Sequence, residues 1–318
     1  MNSKNNRRGS LMAKKQRYKV RNWHDYNKGL IRRGSLTLWF DEKSVKEWHK
    51  AKQNGRGRPK VYADMAILCM LTVKMVFRLP LRATQGLVES IINLLHLSII
   101  AADYSTVCRR QRRLKVPLQK SDMSKPLHAV FDATGLKVFG EGEWKVRQHG
   151  YSKRRIWRKL HLGINEATGE IIAETLSDKD KNDGTLLPKL IEQITGSVSQ
   201  VSGDGAYDNF KNYELLKKRG IKATIPTQKN AQMKRLDNTI ARDAVVLEIR
   251  KLGRKKWKQQ NGYHRRSLAE TTMFRFKRIL GNNLHAILFK NQAVEAIIKC
   301  NILNKMAVVA MPLSYAVK

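Results

Sequence analysis

The sequence predicts an α/β protein: a mixed sheet flanked by helices, preceded by a wholly helical region. Three observations predict it. Between Tyr62 and Leu95 apolar residues recur at helical spacing, without the alternation of a strand. After Pro126 the texture changes to short apolar runs bounded by turn residues. From Thr185 to Ile225 such runs alternate with helix-periodic segments, as in a layered α/β sheet.

Size and charge bound the class. The chain has 318 residues, 42% of them hydrophobic, enough for a real core and for one to three domains. Lys and Arg number 63 against 26 Asp and Glu, a formal charge of +37. So large an excess repels itself unless a polyanion is near. Nucleic acid is the obvious one, because each neutralised phosphate releases condensed counterions. Ribosomal and packaging proteins are also basic, but they are usually shorter and lack an enzyme-sized core. Cys69, Cys108 and Cys300 lie far apart with no C-x-x-C pair, which excludes a zinc ribbon and a disulfide framework. They read as reduced thiols of a cytosolic protein. The basic, polar stretch Met1 to Arg21 lacks the apolar segment of a secretory signal, and no run of about 18 apolar residues offers a membrane span.

Residues 1–60 form a basic N-terminal region, expected to be disordered over its first eleven residues; Met12 is an alternative start. Its apolar content is thin: Trp23, Tyr26, Leu36, Leu38, Trp39, Phe40 and Trp48. Gly55 to Pro59 interrupts regular structure, and its Arg56 and Arg58 are candidates for an A·T minor groove. A plain basic linker before a helix has the same composition.

Residues 61–118 form the helical region. Met65, Ile67, Leu68, Leu71, Val73, Met75 and Val76 mark a first helix, and Leu79-Pro80 a turn. Leu81, Leu87, Val88, Ile91, Ile92, Leu94 and Leu95 mark a second. Asp103 to Thr106 caps a short basic helix carrying Arg109, Arg110, Arg112 and Arg113. Such an order suits a DNA-binding region of helix-turn-helix type. A helical bundle with one solvated basic face would look alike.

Residues 127–285 carry the sheet. Leu127 to Phe131 reads as a buried strand. Trp157 to Ile164 and Glu170 to Leu176 read as a hairpin around Asn165 to Gly169. Thr185 to Ile194 is helical, Val198 to Ser202 a strand, Asn209 to Lys218 a helix and Ala223 to Ile225 a strand. Residues 228–262 are polar, basic and without a clear period. Helices follow around 264–280 and 290–310, the latter in a C-terminal helical segment over 286–318.

In so basic a chain the placing of single carboxylates is informative. Asp132 directly follows a strand, and so does Asp204, with Gly205 permitting close backbone approach. Carboxylates at strand ends face the usual ligand crevice of an α/β sheet. Aspartate is also an ordinary turn former, so neither residue alone identifies a site. Glu270 discriminates. At ~100° per residue, Tyr263, Arg266, Glu270 and Lys277 fall within roughly 60° of one another on a helix. Leu268, Ala269, Phe276, Ile279 and Leu280 occupy the other arc, so one face is expected to be buried. Hard cations such as Mg²⁺ prefer oxygen ligands and take only one or two carboxylates each. Two such ions ~3.5–4 Å apart activate the attacking oxygen and stabilise the leaving one at a phosphodiester. Three acids suffice for that, with Arg266 and Lys277 left to clamp phosphates.

Tyr263, Arg266, Glu270 and Lys277 have the spacing of the Y-R-E-K signature of bacterial insertion-sequence transposases. The stretches Phe131 to Val138 and Gly203 to Asp208 resemble the first and second acid motifs of the insertion sequence 5 family. Gly140 to Gly150 and Gly262 to Glu270 are closest to its 903-like branch, and the resemblance runs from about Met12 to Pro312. It implies an RNase H-like catalytic domain with Asp132, Asp204 and Glu270 as catalytic residues and metal ligands, holding two Mg²⁺ (or Mn²⁺) ions. It implies terminal inverted repeats and target DNA as substrates, with hydrolysis giving a 3′-OH that then attacks the target. The Asp204–Glu270 spacing exceeds a minimal core of that fold, so residues 228–262 are expected to be an insertion. The setting implied is the bacterial cytoplasm, nucleoid-associated, with a homo-oligomer (at least a dimer) when ends are paired and no membrane partner.

Other residues have weaker signals. Trp144, in the basic stretch Glu141 to Arg158, either stacks on an unpaired base or packs under the hairpin. His149 and His161 are candidate phosphate contacts. Asp183 is expected to cap a helix, and Asp178, Asp180 and Asp208 to be solvated, with Asp208 the nearest rival to Asp204. Two functions besides transposition use parts of this pattern. A DNA-binding regulator or architectural protein with an inactive domain would not need the three acids together; a metal-dependent nuclease would need them but not strand transfer.

Overall fold

The computed structural model describes residues 17–49, 61–119, 125–139, 156–234 and 240–317. Arg56, Arg58, Trp144 and His149, and the first eleven residues, lie outside them.

The sheet is mixed and has five strands: β2 (Leu127–Phe139), β3 (Ile156–Asn165), β4 (Ile171–Asp178), β5 (Val198–Ser202) and β6 (Lys222–Thr224). Their spatial order is β4-β3-β2-β5-β6. β2, β3 and β4 form an antiparallel meander, whereas β5 and β6 add in parallel on the other side of β2. Parallel neighbours need crossovers. The first is α7 (Leu187–Glu192), led by a 3-10 turn at Asp183–Leu186; the second is α8 (Phe210–Lys218), capped by the Asn209 side chain on the Asn212 N–H.

Alternation along the strands splits the core in two. Val130, Leu136, Leu160, Leu162 and Ile164 face one way, into a layer shared with the helical region. Ala129, Phe131, Ala173 and Val201 face the other, onto Leu187, Leu190, Tyr213 and Leu216 of α7 and α8.

The helical region consists of α4 (Asp64–Val76), α5 (Leu81–Leu94) and α6 (Tyr104–Gln111), close to the expected bounds, with Asp103 accepting from the Ser105 N–H as the cap. The basic segment before it is more structured than its composition suggests. It contains a short strand β1 (Arg17–Val20) and helices α1 (Trp23–Arg32), α2 (Leu36–Trp39) and α3 (Glu42–Lys46). Trp39, Phe40 and Trp48 are buried in the same core as α4 and the sheet. β1 pairs antiparallel with β7 (Ser314–Val317), which joins the two ends of the described chain.

The polar stretch 228–262 contains a helical pair, α9 (Ala241–Leu252) and α10 (Arg254–Gln260), joined at Gly253 with φ +80°. Trp257 is its buried anchor, donating to Glu248 Oε2 at 2.7 Å. α11 (Ser267–Leu280) then lies against β2 and β3. α12 (Phe289–Val309) packs on both α4 and β4, with Asn304 bonded to both backbone groups of Ile171 at 2.8 and 2.9 Å. Among the described residues no helix is long and apolar enough to cross a membrane.

Candidate active site

Register sets the first two acids side by side. β2 pairs with β5 up to Val130 opposite Ser202. Asp132 and Asp204 each stand two residues beyond that last pair. One correction follows: β2 does not end at Phe131. It continues to Phe139, because Asp132 to Lys137 pair with Leu162 to Trp157 of β3. Asp132 is therefore within a strand, at the level where its parallel neighbour stops. Asp204 does leave a strand end, and its Oδ1 caps the following 3-10 turn by accepting from the Ala206 N–H at 2.9 Å.

Glu270 comes from α11, whose buried face carries Ala269, Thr272, Met273, Phe276 and Leu280, with Leu268 and Ile279 half-buried. Tyr263 to Arg266 form a 3-10 turn leading into that helix. Arg266 is the joint of the site: Nη1 donates to Asp132 Oδ2 at 3.0 Å and Nη2 to Glu270 Oε1 at 2.6 Å. Its guanidinium also lies 5.9 Å from the Tyr263 ring centroid, and Lys258 Nζ lies 4.7 Å from the same centroid. Lys277 is half-buried, and burial lowers its pKa.

The acids share one electrostatic field. Burial raises the Asp132 pKa most. The Ala133 N–H and Arg266 act against the rise, while Asp204 and Glu270 add to it. Such a group gains most from a nearby cation. Burial likewise raises the pKa of Tyr263, with Arg266 opposing and Asp204 and Asp132 reinforcing. Among the described residues no three His, Cys, Asp or Glu side chains stand close enough to hold one ion as they are placed, and Arg266 takes the position between Asp132 and Glu270. The donor chemistry nonetheless fits a hard divalent cation: three carboxylates and only oxygen.

Two family models match the chain, both described as transposase DDE domain: one over residues 31–141, the other over residues 123–305. The second match covers more than half of the sequence. The chain belongs to the DDE transposase family. Among solved structures it is similar to a piggyBac transposase synaptic complex with hairpin DNA, at 9% identity and a TM-score of 0.37, covering 88% of this chain and 74% of that one. It is also similar to a Drosophila P element transposase strand transfer complex, at 12% identity and a TM-score of 0.31, covering 55% of this chain and 43% of that one. Both likenesses are too distant to assign a fold or a residue.

The geometry of the transposase revises several sequence expectations. Asp208 is not solvated: its side chain is fully buried, bonded to Arg242 Nε at 2.7 Å and Nη2 at 3.0 Å and to the Gln228 N–H at 2.9 Å. It is a structural anchor for the segment after β6, not a rival to Asp204. Asp183 does not cap its turn; Asn182 does, accepting from the Gly184 N–H. Asp183 turns instead to Lys159 Nζ at 2.9 Å. His161 is fully buried and bonded to Ser177 Oγ at 2.8 Å, so it cannot reach a phosphate. Arg110 is engaged internally by Asp64 and the Tyr62 carbonyl, whereas Arg109, Arg112 and Arg113 have no acidic partner among the described residues. Asp178 is exposed but paired with Arg158. Apart from the cap at Asp183, these pairings join distant segments and leave no local pattern to find.

Proposed function

We propose that this transposase binds the terminal inverted repeats of an insertion sequence and performs metal-dependent strand cleavage and strand transfer at Asp132, Asp204 and Glu270. The carrying observation is the register of β2 and β5, which brings Asp132 level with Asp204, while Arg266 ties Glu270 to Asp132. The strand order and the antiparallel β2-β3-β4 meander support an RNase H-like domain, and α4 to α6 a helix-turn-helix-type region. The acid and Y-R-E-K motifs support the insertion sequence 5 family, 903-like branch. The excess of 63 Lys and Arg over 26 Asp and Glu supports DNA as partner.

Two Mg²⁺ (or Mn²⁺) ions bound at the three acids would supply Lewis-acid activation at both oxygens of the displacement. In hydrolysis a water oxygen bonds to phosphorus, the P–O3′ bond breaks, and the leaving 3′ oxygen takes a proton. In transfer that 3′-OH attacks a target phosphate and displaces the target's own 3′ oxygen. Asp132 and Asp204 stand beside each other to address one phosphate. Arg266, forked between two acids, carries the charge that can pass to a phosphate oxygen. Tyr263 and Lys277 line the same helical face as further phosphate contacts, and Arg109, Arg112 and Arg113 serve the flanking duplex. Joining two ends calls for at least two copies of the chain.

The test is incubation with end-sequence DNA and Mg²⁺. Wild type is expected to cleave and join the ends. Protein that binds the ends yet never releases a 3′-OH would refute the reading, and cleavage without joining would make it a nuclease.

A further inference from the structure

A fourth carboxylate belongs to the surroundings of these acids. The turn Asp183–Leu186 is locked to the turn Gly205–Tyr207 that follows Asp204. Asn212 Nδ2 donates to the Gly184 carbonyl at 2.9 Å and to the Tyr207 carbonyl at 3.0 Å. The fit is close: a Cβ on Gly184 would stand 2.8 Å from the Ala206 carbonyl oxygen and 2.7 Å from Asn209 Nδ2. Since Asn182 does the capping, the Asp183 carboxylate is free to point at the sheet, where Oδ1 lies 2.9 Å from Lys159 Nζ and 3.7 Å from His161 Nδ1.

Two buried polar atoms beside it have no hydrogen-bond partner. His161 spends Nε2 on Ser177, and its Nδ1 is unsatisfied in a fully buried ring. The Tyr207 hydroxyl is also unsatisfied, in a side chain 1% exposed. Leaving such a group unpaired costs about 1–3 kcal/mol. Two of them next to one carboxylate point to a small polar ligand that satisfies both. The Tyr207 hydroxyl is itself held neutral, chiefly by burial and then by Asp183, Asp132 and Asp204 together, so the fourth acid and the catalytic pair act on one atom.

We propose that Asp183, with the Tyr207 hydroxyl and His161 Nδ1, holds the water shell of a divalent cation bound at Asp132 and Asp204. Asp183 is thus a positioning residue, and Lys159 is the counter-ion it trades against that cation. The proposal rests on the reading of Asp132 and Asp204 as metal ligands. Outer-shell partners of this kind are worth about 10–100-fold in metal affinity.

The experiment is a Mn²⁺ titration of the full chain followed by electron paramagnetic resonance, without DNA. Wild type should bind Mn²⁺, and Asp204→Asn should abolish that binding. Asp183→Asn should weaken it about 10-fold or more. Tyr207→Phe removes no hydrogen bond, so the fold should persist while Mn²⁺ affinity falls; Lys159→Met should tighten binding. No Mn²⁺ binding by wild type, or binding indifferent to Asp204→Asn, overturns the metal-site reading itself. Binding lost in Asp204→Asn but equal to wild type in both Asp183→Asn and Tyr207→Phe overturns only the role of Asp183.

Discussion

Asp204 and Asp208 lie four residues apart, and the structure gives them opposite jobs, so removing each charge should have opposite consequences. In Asp208→Asn the perturbation is the loss of a forked contact to a guanidinium. Arg242, its side chain only 9% exposed, would keep its charge and a contact to the Gln232 carbonyl but lose its only acidic partner among the described residues. Breaking one side of a buried pair costs about 3–5 kcal/mol. Each kcal/mol lowers the Tm of a domain this large by about 2–4 °C, so a drop of roughly 6–20 °C is expected. Asp204→Asn loses at most part of a cap, which is worth about 1 kcal/mol. Thermal unfolding followed by circular dichroism reads the first effect, and cleavage of end DNA below both melting temperatures reads the second. Asp208→Asn should melt early yet still cleave; Asp204→Asn should melt near wild type and not cleave. A stable, inactive Asp208→Asn would refute the assignment of roles.

Further outcomes are expected. Burial pushes the Glu174 carboxyl up to about 7, with Lys189 opposing. A folded-state value above the unfolded one means stability is full below about 4.5 and lost as pH rises through about 7. Wild type should therefore lose up to about 3 kcal/mol relative to Glu174→Gln between pH 5 and pH 8 in urea unfolding. Arg266→Lys should not restore what Arg266→Gln loses, because one ammonium cannot fork between Asp132 and Glu270; each should slow cleavage about 10–100-fold with binding retained. Arg112→Gln and Arg113→Gln should each lower the salt slope of DNA binding by about 0.9, whereas Arg110→Gln, already committed to Asp64, should leave it unchanged.

Where local physics decides, the fold was legible in the sequence. The strand Val198–Ser202 and the cap at Asp103 follow from apolar runs and capping chemistry, and Ala269, Phe276 and Leu280 are buried as helical phase requires. What escaped depends on distant partners. Trp39 and Trp48 sit among basic residues, yet burial against α4 and the loop before α6 removes them from solvent; Trp48 Nε1 reaches the Ile100 carbonyl at 2.8 Å. β1 forms only because β7 lies 294 residues on from Val20 to Ser314, where the pair closes. The extension of β2 past Asp132 is sustained by β3 alone. At the site, Glu270, Arg266 and Tyr263 were legible through helical phase. The roles of Asp183 and Asp208 were not, because their partners Lys159 and Arg242 lie 24 and 34 residues away in sequence.

The central claim is that Asp132, Asp204 and Glu270 act as one chemical centre on DNA. Its most direct measurement compares Asp132→Ala, Asp204→Ala and Glu270→Ala with wild type, scoring binding, cleavage and joining of the same end-sequence DNA in Mg²⁺. The account expects all three variants to bind the ends and none to cleave or join them. A variant among the three that cleaved and joined ends at the wild-type rate would contradict it.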